Sequence, residues 1–351
     1  MSITAGVFSE SALVDIQVKI DQIWADAIQK QDYVANTDVV NALLANQTAT
    51  ISELKNSRKD PTVDIGWINA CEIVDEACEI CTIDGTELST NVVEKTLGTC
   101  RQSPFMVEEG IFRSNMFDAE EVIAKGFLMA MKELDEFWAA TAVAFLNAAL
   151  GVNAVTVGKG TVSGTGTYIL PAFWDAGLMS YFARVGISNQ FVNPFLVSGA
   201  NLYESVWNAA YERAQAGDES KVLKYGSMPI YFDLFNIDAV NDPDLYTYMI
   251  HRGAVAFVAK NYYPANDVVE GGVPRINKYM DEWRWSMPSK NIPGLRYDVH
   301  YKDTCNAQGS YDAMTYQFKL VTYGDYFLNP TGCDDTRTGV LGFICGEVPS
   351  E

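Results

Sequence analysis

Residues 118–151 read DAEEVIAKGFLMAMKELDEFWAATAVAFLNAALG, and the architecture turns on this stretch. Val122, Ile123, Phe127, Met131, Leu134, Phe137, Trp138 and Phe145 recur at helical spacing and make one broad apolar face. Asp118 and Glu121 have the D-x-x-E spacing of a capping box, and Gly151 stands where a terminating glycine belongs. The spacing predicts a helix over 118–150, about 50 Å long at roughly 1.5 Å rise per residue. Its first half carries Glu120, Glu121, Lys125, Lys132, Glu133, Asp135 and Glu136; its second half is apolar nearly all round. The expectation is a helix wet at one end and buried at the other, the backbone of a domain. The charge-free run 137–158 invites a membrane reading, but only about 14 of its residues are both helical and apolar, short of the ~20 a bilayer requires.

Upstream, Val63, Ile65 and Trp67 alternate with polar or small residues, a strand signature. Further extended pieces fall at 71–83 and 90–108, with Asp84-Gly85 as a turn between them. Residues 62–117 read as one or two long hairpins, a projecting ribbon of the kind that packs on another molecule. Before it, Leu13, Ile16, Ile20, Ile23, Trp24, Ala27 and Ile28 form a helical stripe, a second helix covers 37–44, and a polar stretch closes at Pro61. Residues 1–61 are expected to be an arm with too little apolar surface for its own core, ordered by neighbouring copies.

Downstream, the Gly-, Thr- and Val-rich stretch 151–168 reads as a flexible connection. An α/β pattern follows, with helices at 172–185 and 200–215 and strands at 190–197, 228–235, 246–250 and 254–259. From 267 onward the pattern is antiparallel β. Tyr297, Val299 and Tyr301 alternate with polar residues, as do Met314, Tyr316, Phe318 and Leu320, with a hairpin linker at 306–310 and a last strand through Val340, Leu341 and Phe343.

Charge excludes one class of function. The chain has 45 acids, 25 bases and a net charge of −20. Residues 1–116 hold 18 acids against 8 bases and the remainder 27 against 17, so the acidity is global. A basic footprint for gripping nucleic acid is missing. The 48% apolar content is that of a folded chain. The start lacks a basic region followed by an apolar one, and the expectation is synthesis in a reducing cytoplasm.

Candidate chemical groups are weak. Cys78 and Cys81 form a C-x-x-C that Cys71 and Cys100 could complete as a four-thiolate zinc site. The segment reads as strand, which points residues three apart to opposite faces, so no metal is expected. Seven cysteines, an odd number, argue against a disulfide framework. The only histidines are His251 at a strand end and His300 on a strand's polar face, and no G-x-S-x-G elbow accompanies them. The carboxylate groups Glu72, Asp75, Glu76, Glu79 and Glu108, Glu109 read as solvated acidic faces. Gly158-Lys-Gly160 and Gly164-Thr-Gly166 match neither nucleotide-loop pattern. Trp283-Arg284-Trp285 reads as strand packing with the arginine on the opposite face. No catalytic, cofactor-binding or metal-binding residue is assigned, and no cofactor is expected.

The order of these parts resembles the major capsid proteins of tailed bacteriophages, the Hong Kong 97-like type. Leu223-Lys-Tyr-Gly-Ser-Met-Pro229-Ile-Tyr-Phe-Asp233, Tyr246-Thr-Tyr-Met-Ile-His-Arg-Gly-Ala-Val-Ala256 and Asn329-Pro330 carry the local likeness. The resemblance implies an α+β fold with an N-terminal arm at 1–61 and an extended β-hairpin loop (E-loop) at 62–117. A spine helix at 118–150 would join 267–351 as an antiparallel β P-domain, and an α/β A-domain would cover 151–266. It implies a non-enzymatic subunit that self-assembles through hexamers and pentamers into an icosahedral shell around phage double-stranded DNA. Portal, decoration or scaffolding proteins would be its partners, a virion its location, and no membrane would be involved. Its start implies assembly without a cleaved N-terminal scaffold. The alternative with the same fold is an encapsulin-like compartment shell; a carbohydrate-binding protein or enzyme is a third class.

Overall fold

A computed structural model describes residues 10–51, 62–68, 90–108, 118–174, 177–203, 223–225, 228–241, 245–262, 277–279, 282–308, 311–329 and 338–348. Helix α4 (Ala119–Ala148) runs through the middle of the molecule. Around it lie helices α1 (Glu10–Ala25), α2 (Ala27–Lys30) and α3 (Asp38–Ala45) and three sheets. The α+β class expected from the sequence is the one observed.

The first sheet is small and antiparallel: β1 (Thr50–Ile51), β2 (Thr62–Ile68) and β3 (Thr90–Thr96), in that order. The second comprises β4 (Thr99–Glu108), β11 (Val255–Lys260), β12 (Asn277–Tyr279), β13 (Glu282–Pro288), β14 (Arg296–Gln308) and β15 (Tyr311–Leu328). Its order is β11-β15-β14-β13-β12, with β4 paired to β15, and every pairing is antiparallel. The third sheet holds β5 (Gly160–Ser163), β6 (Gly166–Ile169), β7 (Phe195–Ser198), β8 (Leu223–Tyr225), β9 (Met228–Phe232), β10 (Leu245–Ile250) and β16 (Val340–Cys345). Its order is β5-β6-β16-β10-β7-β9-β8, with parallel pairs at β6/β16 and β7/β9. Helix α5 (Leu178–Ser188) packs on it through Phe182, whose ring lies 4.8 Å from that of Phe343. Helix α6 (Asn236–Asn241) packs against α4 and β10.

The helix over 118–150 is present, but its ends differ from the expected signals. Asp118 caps by accepting the Glu120 N–H at 3.3 Å, while Glu121 reaches forward to Lys125 at 2.6 Å instead of back. The capping box is therefore half formed. The helix stops at Ala148, and Gly151 donates its N–H to the Val340 carbonyl at 2.8 Å, tied to β16 instead of ending the helix.

Of the charged residues in the expected wet first half, Asp135 alone is buried; Glu120, Glu121, Lys125, Lys132 and Glu136 are partly exposed and Glu133 is exposed. The apolar residues between them, Ile123, Ala124, Phe127, Leu128, Ala130, Met131 and Leu134, are buried where α1, α3 and β4 lie over the helix. A Cβ on Gly126 would come within 2.6 Å of the Phe105 ring, so the bare glycine is what lets β4 approach the helix. Phe105, Phe127 and Phe318 then meet at centroid distances of 5.1 Å.

Tertiary pairing redraws several other boundaries. Residues 90–108 do not continue one ribbon: the chain breaks at Leu97-Gly98, β3 pairs with β2, and β4 pairs with β15 over ten registered positions from Thr99 to Glu108. The division at 266/267 is crossed twice. Strand β11 joins the second sheet, stacking Phe257 on Tyr326 at 4.6 Å, and β16 joins the third. Stretch 151–168 is not a plain connection, since 160–169 forms the β5/β6 hairpin around Gly164 at φ +59°. The strand expected from 190 begins only at Phe195, because Gln190 and Asn193 sit at φ 60° and 48°, outside extended backbone. The strand expected to reach 235 ends at Phe232, where Asp233 accepts the Phe235 and Asn236 N–H groups and starts α6. The helix expected from 172 splits into a 3-10 turn at Pro171–Phe173 and α5.

Candidate functional site

The arm is the clearest departure from expectation. Ile16, Ile20 and Ile23 of α1 and Val39, Val40, Ala42 and Leu43 of α3 belong to the same core as α4. The chain thus supplies its own cover for these helices. Helix α3 has no cap from its own Thr37; Asp233, just past the end of β9, accepts the Val39 N–H at 3.2 Å in its place. Beside it, Asn236 Nδ2 donates to the Asn36 carbonyl at 2.6 Å. Further along, Gln47 accepts the Phe257 N–H at 3.0 Å, and Gly253 donates its N–H to the Asn46 carbonyl at 3.0 Å.

Asp135 is the residue the sequence reading misplaced. Counted with the charged first half, its side chain is fully buried, inside the helix face that meets the 289–295 turn. Tyr297 donates its hydroxyl to Oδ1, Ser289 Oγ donates at 2.9 and 3.0 Å, and Asn291 Nδ2 donates to Oδ2 at 2.9 Å. Burial raises its pKa from 3.8 to about 6, with the three donors opposing the rise in part. The signal was an acid, Asp135, on the stripe of Phe127, Met131, Leu134 and Trp138, but a lone carboxylate on an apolar stripe looks like an edge residue until its donors are placed.

The small β1-β2-β3 sheet attaches differently. Val63, Ile65 and Leu97 pack on Ala256 and Val258 of β11, with Ala49, Tyr323 and Phe327 at the margin, as a cluster separate from the main core.

The groups singled out for chemistry are dispersed. Cys71, Cys78, Cys81, Glu72, Asp75, Glu76, Glu79 and Glu109 lie outside the described residues. Cys100 is exposed on β4, level with Tyr323; Cys345 lies on β16, where burial raises its pKa. Among the described residues no three His, Cys, Asp or Glu side chains cluster as metal ligands. Glu108 ends β4.

His251 accepts the Val192 N–H on Nδ1 at 3.0 Å, and its Phe191 neighbour meets it edge-on; desolvation holds its pKa down. His300 is 3.6 Å from Glu282, and desolvation, then Lys319 and Arg284, lower its pKa. Trp285 is buried against Phe127, and Arg284 pairs with Glu282 at 2.7 Å on the other face, as the alternation predicted. The two glycine pairs belong to the β5/β6 hairpin and its approach, with Gly158 at φ +140°. A depression of about 380 Å³ opens on the second sheet between Met106, Glu282, His300, Lys302 and Lys319. Among the described residues no helix is long and apolar enough to cross a membrane.

No family model matches this chain, and no curated protein matches it. Solved structures do. The chain is similar to a structure titled for Mycobacterium phage Che8 at 14% identity, with 82% of this chain and 85% of that chain covered and a TM-score of 0.40. It is similar to the capsid asymmetric unit of cyanophage Pam1 at 12% identity, covering 83% and 86% with a TM-score of 0.43. The capsid of cyanophage P-SCSP1u follows at 10% identity, 84% and 85% coverage and a TM-score of 0.45. A Synechococcus elongatus encapsulin complex is similar at 8% identity, covering 73% and 77%, with a TM-score of 0.33.

Proposed function

We propose that this chain is a shell subunit of the tailed-phage major capsid type, which assembles with copies of itself into a closed icosahedral container for double-stranded DNA. The observation that carries the reading is the arrangement of parts within one chain. A 30-residue helix carries much of the main core, a large sheet packs on either side of that core, and the described part of the β2/β3 pair packs on the body through Val63, Ile65 and Leu97. On this reading residues 10–51 are the arm and the β2/β3 hairpin is the loop that meets a neighbour. Helix α4 with the second sheet is then the P-domain, and the third sheet with α5 and α6 is the A-domain.

A net charge of −20 suits a wall that must enclose DNA without gripping it. No residue is assigned a catalytic role. Portal and scaffolding or decoration proteins are the partners such a shell uses, and a virion is its location. The encapsulin-like reading shares these parts, and neighbouring terminase and portal genes, as against a cargo-enzyme gene, distinguish the two.

Sedimentation and negative-stain imaging of the purified protein test the proposal. Megadalton particles, or capsomers the size of hexamers and pentamers, are expected. A monomer at all concentrations, with the β2/β3 hairpin fully protected, would sink it. A shift assay with duplex DNA at physiological salt is expected to show no complex; salt-sensitive micromolar binding would count against the neutral-wall reading.

A further inference from the structure

Residues 33–48 lie across the body as a strap, and one side chain gathers their hold. Asn291 Oδ1 accepts the Ala35 N–H at 3.0 Å, and Nδ2 donates to the Tyr33 carbonyl at 3.4 Å. The Asn291 carbonyl accepts from Thr37 Oγ1 at 3.3 Å and from Asn41 Nδ2 at 3.4 Å. Behind this anchor stands Asp135, which accepts from the same Asn291 Nδ2 at 2.9 Å. Ser289 Oγ bridges the two: it donates to Asp135 and accepts the N–H groups of Asn291 and Ile292 at 3.2 and 3.0 Å. The carboxyl therefore positions the residue that positions the strap.

We propose that Asp135 is a proton-operated latch: with its carboxyl protonated the strap is gripped, and with the carboxylate charged the strap is held more loosely.

Burial sets this direction: the carboxyl has no solvent exposure, and its direct contacts include no cation. From β14 the carboxyl faces Tyr297, and from β15 Tyr326 stands beside Tyr297 while donating its hydroxyl to the Trp138 carbonyl at 2.9 Å. On its own helix the charge acting on it is that of Glu136, which disfavours a second negative charge. Lys132 on that helix donates to the Asp32 carbonyl, and Lys290 of the turn is paired with Asp21 at 2.6 Å. The direct partners of Asp135 are three neutral donors, too few to offset the loss of water around a full charge.

Lifting the strap readmits water to the carboxylate, so the charged form gains by opening and the neutral form does not. The proton exchanges with solvent. The second anchor, Asp233 with Val39 and Asn236 with Asn36, does not involve Asp135 and would keep a loosened strap tethered.

Hydrogen exchange of the full chain, read at the amides of 38–46 between pH 5 and 8 and corrected for intrinsic rates, tests the latch. Protection in the wild type is expected to rise as pH falls from 7.5 to 5, by about tenfold, since one pKa unit is worth a factor of ten. Asp135→Asn is expected to remove this pH dependence and, at pH 7.5, to be protected at least as well as the wild type at pH 5. Tyr297→Phe removes a donor that favours the charged form, so it should move the wild-type midpoint upward; this arm decides the matter if Asp135→Asn does not fold. Equal pH dependence in wild type and Asp135→Asn, protection falling in acid, or a midpoint unmoved by Tyr297→Phe would each overturn the proposal.

Discussion

The strap at 33–48 and the β2/β3 hairpin are both short, mixed polar and apolar excursions on the N-terminal side of α4, yet the body holds them in opposite ways. The strap drives Val39, Val40, Ala42 and Leu43 into the main core, each at 0–1% exposure. It also draws a cap from Asp233, just past the end of β9, and hydrogen bonds from the 289–295 turn. The described part of the hairpin packs in a small separate cluster, on Ala256 and Val258 of β11 with Ala49, Tyr323 and Phe327 at the margin. A handful of buried apolar contacts offsets less of a segment's ordering cost than contacts shared with a large core do. Two segments of similar composition therefore belong to different cooperative units: the strap to the body, the hairpin to itself and whatever packs on it.

Substitutions on the two sides separate these units. The largest effect is expected from Leu43→Ala, which should lower global stability by about 2–5 kcal/mol, as a cavity in the main core does. Denaturant unfolding followed by tryptophan fluorescence measures it, and a loss confined to local exchange at 38–46 would place the strap outside the body's unit.

Next is a pH effect of up to about 3 kcal/mol from Asp135. Its pKa is higher folded, about 6, than its ordinary 3.8, so the native state binds the proton more tightly. The stability it contributes is complete below pH 3.8 and lost as pH rises through about 6. The stability difference between wild type and Asp135→Asn should grow in that window and in that direction, with the variant the more stable at pH 7. A difference that is flat with pH would show that the carboxyl titrates alike in both states.

The smallest global effect is expected from Ile65→Ala on the hairpin: within about 0.5 kcal/mol in the main unfolding transition, although Ile65 is fully buried. Its consequence should appear as lost protection at 62–68. A Leu43-sized shift in the main transition would merge the two units.

Much of this was legible along the chain. The central helix announced itself through Phe127, Met131, Leu134 and Trp138 at helical spacing, and the long antiparallel strands through Tyr297, Val299, Tyr301 and Tyr316, Phe318, Leu320 at alternating spacing. The opposed faces of Trp285 and Arg284 followed from the same two-residue period. The β14/β15 hairpin was legible too, but which distant strands pair was not. The extended pieces β4, β11 and β16 look alike in sequence to their neighbours, and pairing partners as distant as Cys100 and Tyr323 leave no local mark.

The amino-acid sequence by itself determined the elements, because periodicity is a property of neighbouring residues: a 3.6-residue stripe can bury only as a helix and a two-residue alternation only as a strand. Tertiary structure alone decided that β4 leaves the ribbon for the second sheet, that β16 returns to the third, and that Asp135 is buried and not wet. The reason is that burial and partner choice depend on what else occupies the space. Asp135 is one more acid among 45 until Ser289, Asn291 and Tyr297 arrive from more than 150 residues away to surround it.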